Sequence, residues 1–531
     1  MTSLAVETAL HEIGSKIIAK ISIPKDQWEV AAQLEVMGLR DEDAQTEFGC
    51  HDIFDLARRI MWMFNEGAFP IALEKHYPSK KESFLSRWFR HYLNGLMLSL
   101  PTAVQAATML VWGYGVWGAI ELDARNSTAI ALGFFASYAI TGGFCQTIVR
   151  RGLFYIYQEE DYLARSTVLR IWWISVAIVA GLLIPFLLFN LLYEFLPWDM
   201  FGVMCFYYIA LSILWLNFSL MYLARKSYLF VVVIAAGLLV AVFAAEVLGA
   251  TVMQANGAAL FIVDVASFFI SAANLARRVE KRGVTRLITP PRLTILVYST
   301  SLFFFYGALY NIFLFTDRLL AWTSAKGRGD YLPYPIWVDG PYELGMDLAL
   351  LNIILLMGVV EHITQRFSEG LIANQKSVRS TSSDEFNRRY GRYHWNRMIV
   401  LAIAGIVSLL LSGLVFYLLR RFGSSEVMPG RNLSGVVRNV FWLASISYVF
   451  FMAALSNVLI LLSLSRVNLV LRVVSASIVV NVIVGFVCSR SIHYSLSAVG
   501  LLAGTFVFLV LSTLVTNRVM SRLDYYYYSA Y

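Results

Sequence analysis

The sequence is poor in charge: Lys, Arg, Asp and Glu supply only 15% of 531 residues, where a soluble domain carries about 25%. That scarcity excludes an ordinary water-soluble fold for most of the chain. Cysteine is scarce too. Cys50 precedes the apolar region, while Cys145, Cys205 and Cys488 fall within or at the ends of apolar runs. No pair has metal-site spacing, and their placement excludes an oxidising-compartment disulfide framework. No G-x-x-x-x-G-K-[ST] motif occurs, so ATP is not expected as the direct energy source. The first ~20 residues lack a continuous apolar stretch, so no cleavable signal peptide is expected. No basic recognition helix or base-stacking platform is visible, which argues against nucleic acid as a partner.

What is present is hydrophobic sequence. The chain is 58% hydrophobic and 15% aromatic, with a mean hydropathy of +0.63. Twelve apolar runs occupy roughly 93–120, 128–149, 171–195, 200–223, 228–253, 257–276, 293–316, 344–363, 398–419, 437–464, 467–488 and 495–516. Each is close to the ~20 residues a helix needs to cross a ~30 Å hydrocarbon core. The junctions near 250 and 465 are short, so eleven or thirteen spans remain open. The expected fold is an all-α polytopic membrane protein.

Orientation follows from the cations, because Lys- and Arg-rich loops stay in the cytoplasm. Alternate junctions carry Arg150 and Arg151, Arg225 and Lys226, then Arg277, Arg278, Lys281, Arg282, Arg286 and Arg292. The richest carries Arg366, Lys376, Arg379, Arg388, Arg389, Arg392 and Arg397. The opposite junctions are sparse, apart from Arg420, Arg421 and Arg431. Both termini are therefore expected in the cytoplasm and the protein in the inner (plasma) membrane. The net charge of +8 then has anionic lipid headgroups as its sufficient partner.

The expected organisation is a cytoplasmic helical segment, 1–92, ending in an interfacial stretch over 83–92. A first six-helix bundle over 93–276, a cytoplasmic linker 277–292, a second bundle over 293–516 and a tail 517–531 follow. In the first segment Gly38 is the expected C-cap of one helix. Asp41 is expected to cap a second that ends at Gly49, and Asp52 to cap a third over 53–63. The segment reads as too short to bury much core, and either a docking surface or simple support for the first span fits it. Tyr525–Tyr528 fits an interfacial belt or a free aromatic end. Six spans on each side of the linker permit a parallel repeat about an axis normal to the membrane, although no residue-level repeat is visible.

Ionisable groups inside spans mark pathways or buried pairs. Asp264 lies mid-span, Glu246 in the outer half of the fifth run, Asp347 and Glu361 near opposite ends of the eighth, and Arg472 within the eleventh. Glu361 and Arg472 also fit side chains that snorkel to the interface. The stretch from Tyr310 to Asp347 is the densest in signal. Asp317-Arg318 closes a span, an apolar turn reaches Trp322, a loop holds Pro333, Pro335, Gly340 and Pro341, and Tyr342-Glu343-Leu344-Gly345 opens the next span.

This arrangement resembles the multidrug/oligosaccharidyl-lipid/polysaccharide (MOP) flippase superfamily, and within it the Pel-type exopolysaccharide exporters. The resemblance rests on Asp317-Arg318, Trp322, Tyr342-Glu343, Val360-Glu361-His362 with Phe367, and Phe386-Asn387-Arg388-Arg389-Tyr390. Arg90-His91-Tyr92-Leu93 leading to Ser99-Leu100-Pro101, and Thr141-Gly142-Gly143-Phe144 with Arg150, Arg151 and Tyr155, add to it. The chain departs from the pattern in its longer N-terminal segment and in lacking the Gly and Trp of a Gly-Pro-Trp element. The resemblance implies two six-helix bundles around a central cleft, and export of an exopolysaccharide or lipid-linked glycan by alternating access or as the conduit of a synthase. A cytosolic glycosyltransferase and membrane accessory subunits are the implied partners.

A cleft of this kind needs polar and cationic side chains and aromatic faces. Asp264, Asn311, Asp317, Trp322, Asp347 and Arg472 are the candidates for the substrate pathway, with Arg318 and Glu361 as helix-end or gating groups. No catalytic residue, metal ligand or cofactor is expected. Three other readings stand beside the exporter: a transporter of another substrate, a non-transporting scaffold of a glycan synthase, and a polyprenyl-dependent glycosyltransferase. The last has only Glu121-Leu122-Asp123 in its favour, in a junction too short to build a substrate site.

Overall fold

The computed structural model describes residues 9–17, 24, 26–37, 39–68, 84–113, 115–118, 122–158, 160–223, 228–282, 291–329, 331–377, 383–422 and 435–528. Every regular element among them is helical.

The N-terminal segment holds α1 (Gln27–Val36), α2 (Asp41–Phe48) and α3 (Ile53–Asn65). Asp26 caps α1 by accepting from the Glu29 amide at 2.9 Å, and Asp52 caps α3 by accepting from the Asp55 amide at 2.7 Å. Arg40, not Asp41, occupies the N-cap of α2, and Gly49 ends that helix at φ 64°. Asp41 instead reaches forward to the Ile53 amide at 3.0 Å, tying α2 to α3. Gly38 lies outside the described residues. Contrary to expectation the segment has a core of its own. Ile53, Leu56, Ala57 and Ile60 of α3 pack with Val30, Leu34, Ala44 and Phe48, and Leu10 and Ile17 join from the stretch 9–17.

The membrane region comprises α4 (Phe84–Trp112), α5 (Ala124–Tyr157), α6 (Asp161–Gly181), α7 (Leu183–Tyr193), α8 (Trp198–Leu223), α9 (Tyr228–Glu246) and α10 (Val252–Arg282). It continues with α11 (Leu293–Trp322), α12 (Gly340–Ser377), α13 (Ser383–Phe422), α14 (Gly435–Ser463), α15 (Val467–Ser491), α16 (Ser497–Met520) and the short α17 (Leu523–Tyr528). Eleven helices among the described residues are long and apolar enough to cross a membrane, with α6 and α7 forming one span from Asp161 to Tyr193. The break between them lies just before Pro185, whose missing N–H leaves the Gly181 carbonyl without its helical donor. The twelfth member of the bundle is α4, with Pro101 inside it.

Boundaries differ from the sequence reading at several helices, and two of them bear on the division of the chain. The first membrane helix is Phe84–Trp112 and not 93–120, because Gly113 adopts φ 80° and ends it. The stretch 83–92, from Phe84 on, is therefore the opening of α4 and not a separate interfacial segment. Helix α10 also continues to Arg282, well into the expected linker 277–292; residues 283–290 of that linker lie outside the described residues.

The halves α4–α10 and α11–α16 repeat one packing pattern. In the first half α5 packs on α8, α8 on α10, α9 on α10, α4 on α9 and α5 on α6. In the second, α12 packs on α14, α14 on α16, α15 on α16, α11 on α15 and α12 on α13. Each pairing maps onto its counterpart six spans later, so the parallel repeat is present in the packing. Between the halves, helix contact runs mainly through α4 with α12 and α5 with α11, two crossings that exchange under the same repeat.

Candidate transport pathway

Small residues at both inter-lobe crossings allow the backbones to approach. A Cβ on Gly95 of α4 would sit 2.7 Å from the Met357 carbonyl oxygen and 2.8 Å from Gly358 Cα of α12, and one on Gly358 would meet the Tyr92 ring at 2.5 Å. At the other crossing, a Cβ on Gly142 of α5 would lie 2.6 Å from the Gly307 carbonyl oxygen of α11. Polar groups pin both seams. Tyr92 donates to the Leu355 carbonyl at 3.3 Å, and Asn311 donates to the Tyr138 carbonyl at 2.7 Å. Phe134 and Tyr138 of α5 pack on Phe315 of α11, with ring centroids 5.4 and 5.6 Å apart. Near the arginine-bearing end, Arg150 lies over the Phe303 ring at 4.8 Å and donates to Ser465 Oγ at 3.0 Å. At that end of α4, His91 packs beside His362 and lies 3.9 Å from Glu369.

The second feature is a buried charged cluster inside the second lobe, where α11 ends and α12 begins. Asp317 is fully buried and accepts from the Tyr342 hydroxyl at 2.7 Å; Ser497 of α16 donates to that hydroxyl at 3.1 Å. Its neighbour Arg318 turns the other way, since adjacent helical residues do not share a face. The guanidinium lies 3.4 Å from Glu343 and 3.4 Å from Asp347, above the Phe315 ring at 4.9 Å. Trp322 donates its indole N–H to the other Glu343 oxygen at 2.8 Å. Two carboxylates thus flank one guanidinium, and with Asp317 behind it on Tyr342 the cluster is formally anionic. Its exposed member is Asp347, whose side chain is 51% accessible.

The loop that closes this cluster is fixed to both lobes. The Trp337 amide donates to the Trp322 carbonyl at 2.9 Å, and the Val338 amide donates to Thr128 Oγ1 of α5 at 3.1 Å. Arg328 donates to the Trp337 carbonyl at 2.9 Å and stacks on Tyr494 at 4.1 Å. Burial holds the Arg328 guanidinium below its ordinary range, with Asp339 pulling the other way.

The candidate residues fall into separate places. Asp317, Arg318, Trp322 and Asp347 come together in the cluster, and Asn311 lies on the α5–α11 seam. Glu361 lies on the α4–α12 seam beside Gly95 and accepts from Gln365 at 2.6 Å. Asp264 is apart from these, in α10. Its backbone carbonyl accepts from Asn217 at 2.9 Å, while its carboxylate Oδ1 is buried without a hydrogen-bond partner among the described residues. Arg472 is exposed on α15. Trp322 is 1% accessible, so its ring presents no face to a passing sugar in this conformation; it packs in the lobe core because its N–H is satisfied by Glu343.

Sequence reading passed over Glu343 as a site residue, although the Tyr342-Glu343 pair stood in the motif. It also passed over Tyr342, Ser497 and a second buried centre in which Arg397 donates to Asn457 Oδ1, to the Ser456 carbonyl and to His394. Asn457 and Ser497 are small uncharged residues at apolar runs and gave no local signal. Among the described residues no group of His, Cys, Asp or Glu has metal-site geometry. Glu121 of the E-x-D pattern lies outside the described residues, and Asp123 caps α5 by accepting from the Asn126 amide at 3.2 Å.

This double-lobed helical arrangement is shared with solved transporters. The Vibrio cholerae MATE transporter VcmN, as a point mutant, superposes with a TM-score of 0.58 at 13% identity, covering 83% of this chain and 98% of that one. A MOP superfamily transporter from Pyrococcus furiosus gives 0.54 at 13% identity, covering 83% and 96%. A further MATE mutant gives 0.57 at 12%, covering 83% and 97%. At such identities the likeness shows the fold alone, the one these transporters share. No curated protein matches the sequence. Residues 100–528 match the model of the family described as "PelG: Putative exopolysaccharide Exporter (EPS-E)", a match over most of the chain, and the chain belongs to this PelG exopolysaccharide exporter family.

Proposed function

We propose that the protein exports an exopolysaccharide, or a lipid-linked precursor of one, across the inner membrane by rocking its two lobes about the α4–α12 and α5–α11 crossings. The observation that carries this reading is the pair of glycine-lined crossings related by the internal repeat. Two packed bundles that meet along narrow seams can tilt against each other as rigid bodies, which is the usual basis of alternating access. The arginine-rich junctions face the cytoplasm in this proposal, so both termini and the N-terminal module lie there, where a cytosolic glycosyltransferase would deliver polymer. The His91–His362 and Arg150–Ser465 contacts then close the cytoplasmic side. Asp264, Asn311, Asp347 and Arg472 are assigned to the pathway, Glu361 to the gate, and the Asp317–Arg318–Glu343 cluster with Trp322 to holding the second lobe rigid.

The test is a gene deletion complemented with plasmid-borne variants, with secreted polysaccharide as the readout. Secretion should vanish in the deletion and return with the parental protein. Unchanged secretion in the deletion would remove the exporter reading. A single cysteine at Lys281, labelled in intact cells, checks orientation: an impermeant maleimide should not reach it.

A further inference from the structure

A groove at one end of α13 has the make-up of a lipid-headgroup site. One face of that helix contributes Asp384, Asn387, Arg388, Gly391, Arg392, Trp395 and Asn396, α16 contributes Asn517 and Ser521, and the open groove between them has a volume of about 660 Å³. The spacing of three, four and seven residues places all the α13 members on a single stripe. Trp395, 53% accessible, stands at the boundary where the apolar run of α13 begins, the depth tryptophan favours in a membrane. At 1.5 Å per residue, Arg392 and Arg388 lie about 5 and 10 Å further out, the depth of the phosphate layer.

Two like charges one turn apart repel, and among the described residues neither guanidinium is paired with a carboxylate: Arg388 donates to the Asp384 carbonyl at 3.3 Å. Asp384 does line the groove, and Asp524 is held by Asn387 at 2.9 Å, so the opening carries a carboxylate at its outer end and cations toward the membrane. Below the groove the surface turns apolar on both walls. Ile399, Ile403, Ile406 and Leu410 of α13 and Leu514, Val510 and Phe506 of α16 are all exposed. A polar, cationic cup above a two-helix apolar lane matches one ligand: a phosphate-bearing diacyl lipid, headgroup in the cup and chains along the lane.

We infer that the groove between α13 and α16 binds an anionic phospholipid, its phosphate on Arg388 and Arg392 and its polar headgroup on Asn517 and Ser521. The site requires only that α13 cross the membrane, whatever the protein exports. Forked guanidinium donors suit a phosphodiester oxygen pair, and Trp395 packs on the glycerol region.

The test uses the delipidated full-length protein in detergent and native mass spectrometry. Phosphatidylglycerol, phosphatidylcholine and inorganic pyrophosphate are added separately and in competition. Phosphatidylglycerol should be retained at least tenfold over phosphatidylcholine. The pair Arg388→Gln and Arg392→Gln should weaken it roughly thirty-fold, given the worth of each basic residue at an anionic surface. The charge-matched pair Arg58→Gln and Arg59→Gln in the N-terminal module should change nothing. Equal retention of the two lipids, or undiminished retention in the groove variant, overturns the site. Displacement by pyrophosphate at concentrations comparable to the lipid assigns the groove to soluble phosphate and overturns the lipid assignment. Should the double variant aggregate on size exclusion, Arg392→Gln alone is read, with a roughly fivefold loss expected and no loss counting against the site.

Discussion

Replacing Gly142 with alanine places a methyl carbon where α11 already stands, 2.6 Å from the Gly307 carbonyl oxygen and 3.0 Å from Asn311 Cγ. A relaxed contact needs roughly 3.5 Å, so α5 and α11 must part by about 1 Å at this crossing. The Asn311 amide, now 2.7 Å from the Tyr138 carbonyl, would move beyond bonding range. An orphaned buried polar group costs about 1–3 kcal/mol, and overpacking adds about 1–3 kcal/mol. The closed seam is therefore disfavoured by at least ~2 kcal/mol, and at about 1.4 kcal/mol per decade its population relative to parted states falls roughly thirty-fold or more. Cysteines at Arg150 and Phe303, whose side chains meet across the seam with the guanidinium 4.8 Å from the ring centroid, report this through a short bifunctional maleimide that bridges them. Cross-linking should be fast in the parental background and at least roughly tenfold slower with Gly142→Ala, and polysaccharide export should fall with it. Gly202→Ala, where a Cβ meets nothing within 4 Å, should change neither. If Gly142→Ala cross-links and exports at the parental rate, the crossing is not a working hinge and the reasoning fails.

The remaining predictions address the buried polar groups. Arg318→Leu leaves Glu343 and Asp347 without their cation and should destabilise the protein by about 3–5 kcal/mol, read as a drop in the thermal transition in detergent. Tyr342→Phe removes the hydroxyl bonded to Asp317 and Ser497 and should cost about 1–3 kcal/mol. Combined with Asp317→Asn it should be less than additive, and strict additivity would mean the two side chains act independently. Asp264→Ala should reduce export at near-normal protein level, because its carboxylate Oδ1 lies buried without a hydrogen-bond partner among the described residues; full export and unchanged abundance with Asp264→Leu would make it a bystander.

How much was legible varies by level. The capping of α3 by Asp52 and the end of α2 at Gly49 could be read locally, because caps and left-handed glycines act over a few residues. Asp41 could not: a carboxylate ahead of a helix fits both the cap and the first turn, and the choice fell to its bond with the Ile53 amide twelve residues on. The N-terminal core was missed although Leu10, Ile13 and Ile17 recur at helical spacing, because nothing local states that this helix packs on α1–α3. Asp317, Arg318, Trp322 and Asp347 were singled out as costly or aromatic groups at span ends, and three-dimensional packing gathered them. Their partners Glu343, Tyr342 and Ser497 come from α12 and α16, and nothing in the local sequence states which helices will face α11.

By itself the sequence determined the class: a helical, many-span membrane protein, because lipid tolerates only backbones that bond within their own helix and twenty apolar residues are unmistakable. It also carried the family, through short motifs around Asp317 and Tyr342. Only the tertiary structure decided that the two halves repeat one packing pattern, that they meet at Gly95–Gly358 and Gly142–Gly307, and that Trp322 faces the lobe core. The physical reason is that helix pairing in a membrane depends on which small and polar faces meet across space. Such faces can be matched by many sequences, so the repeat survives in packing after it has vanished from the residues.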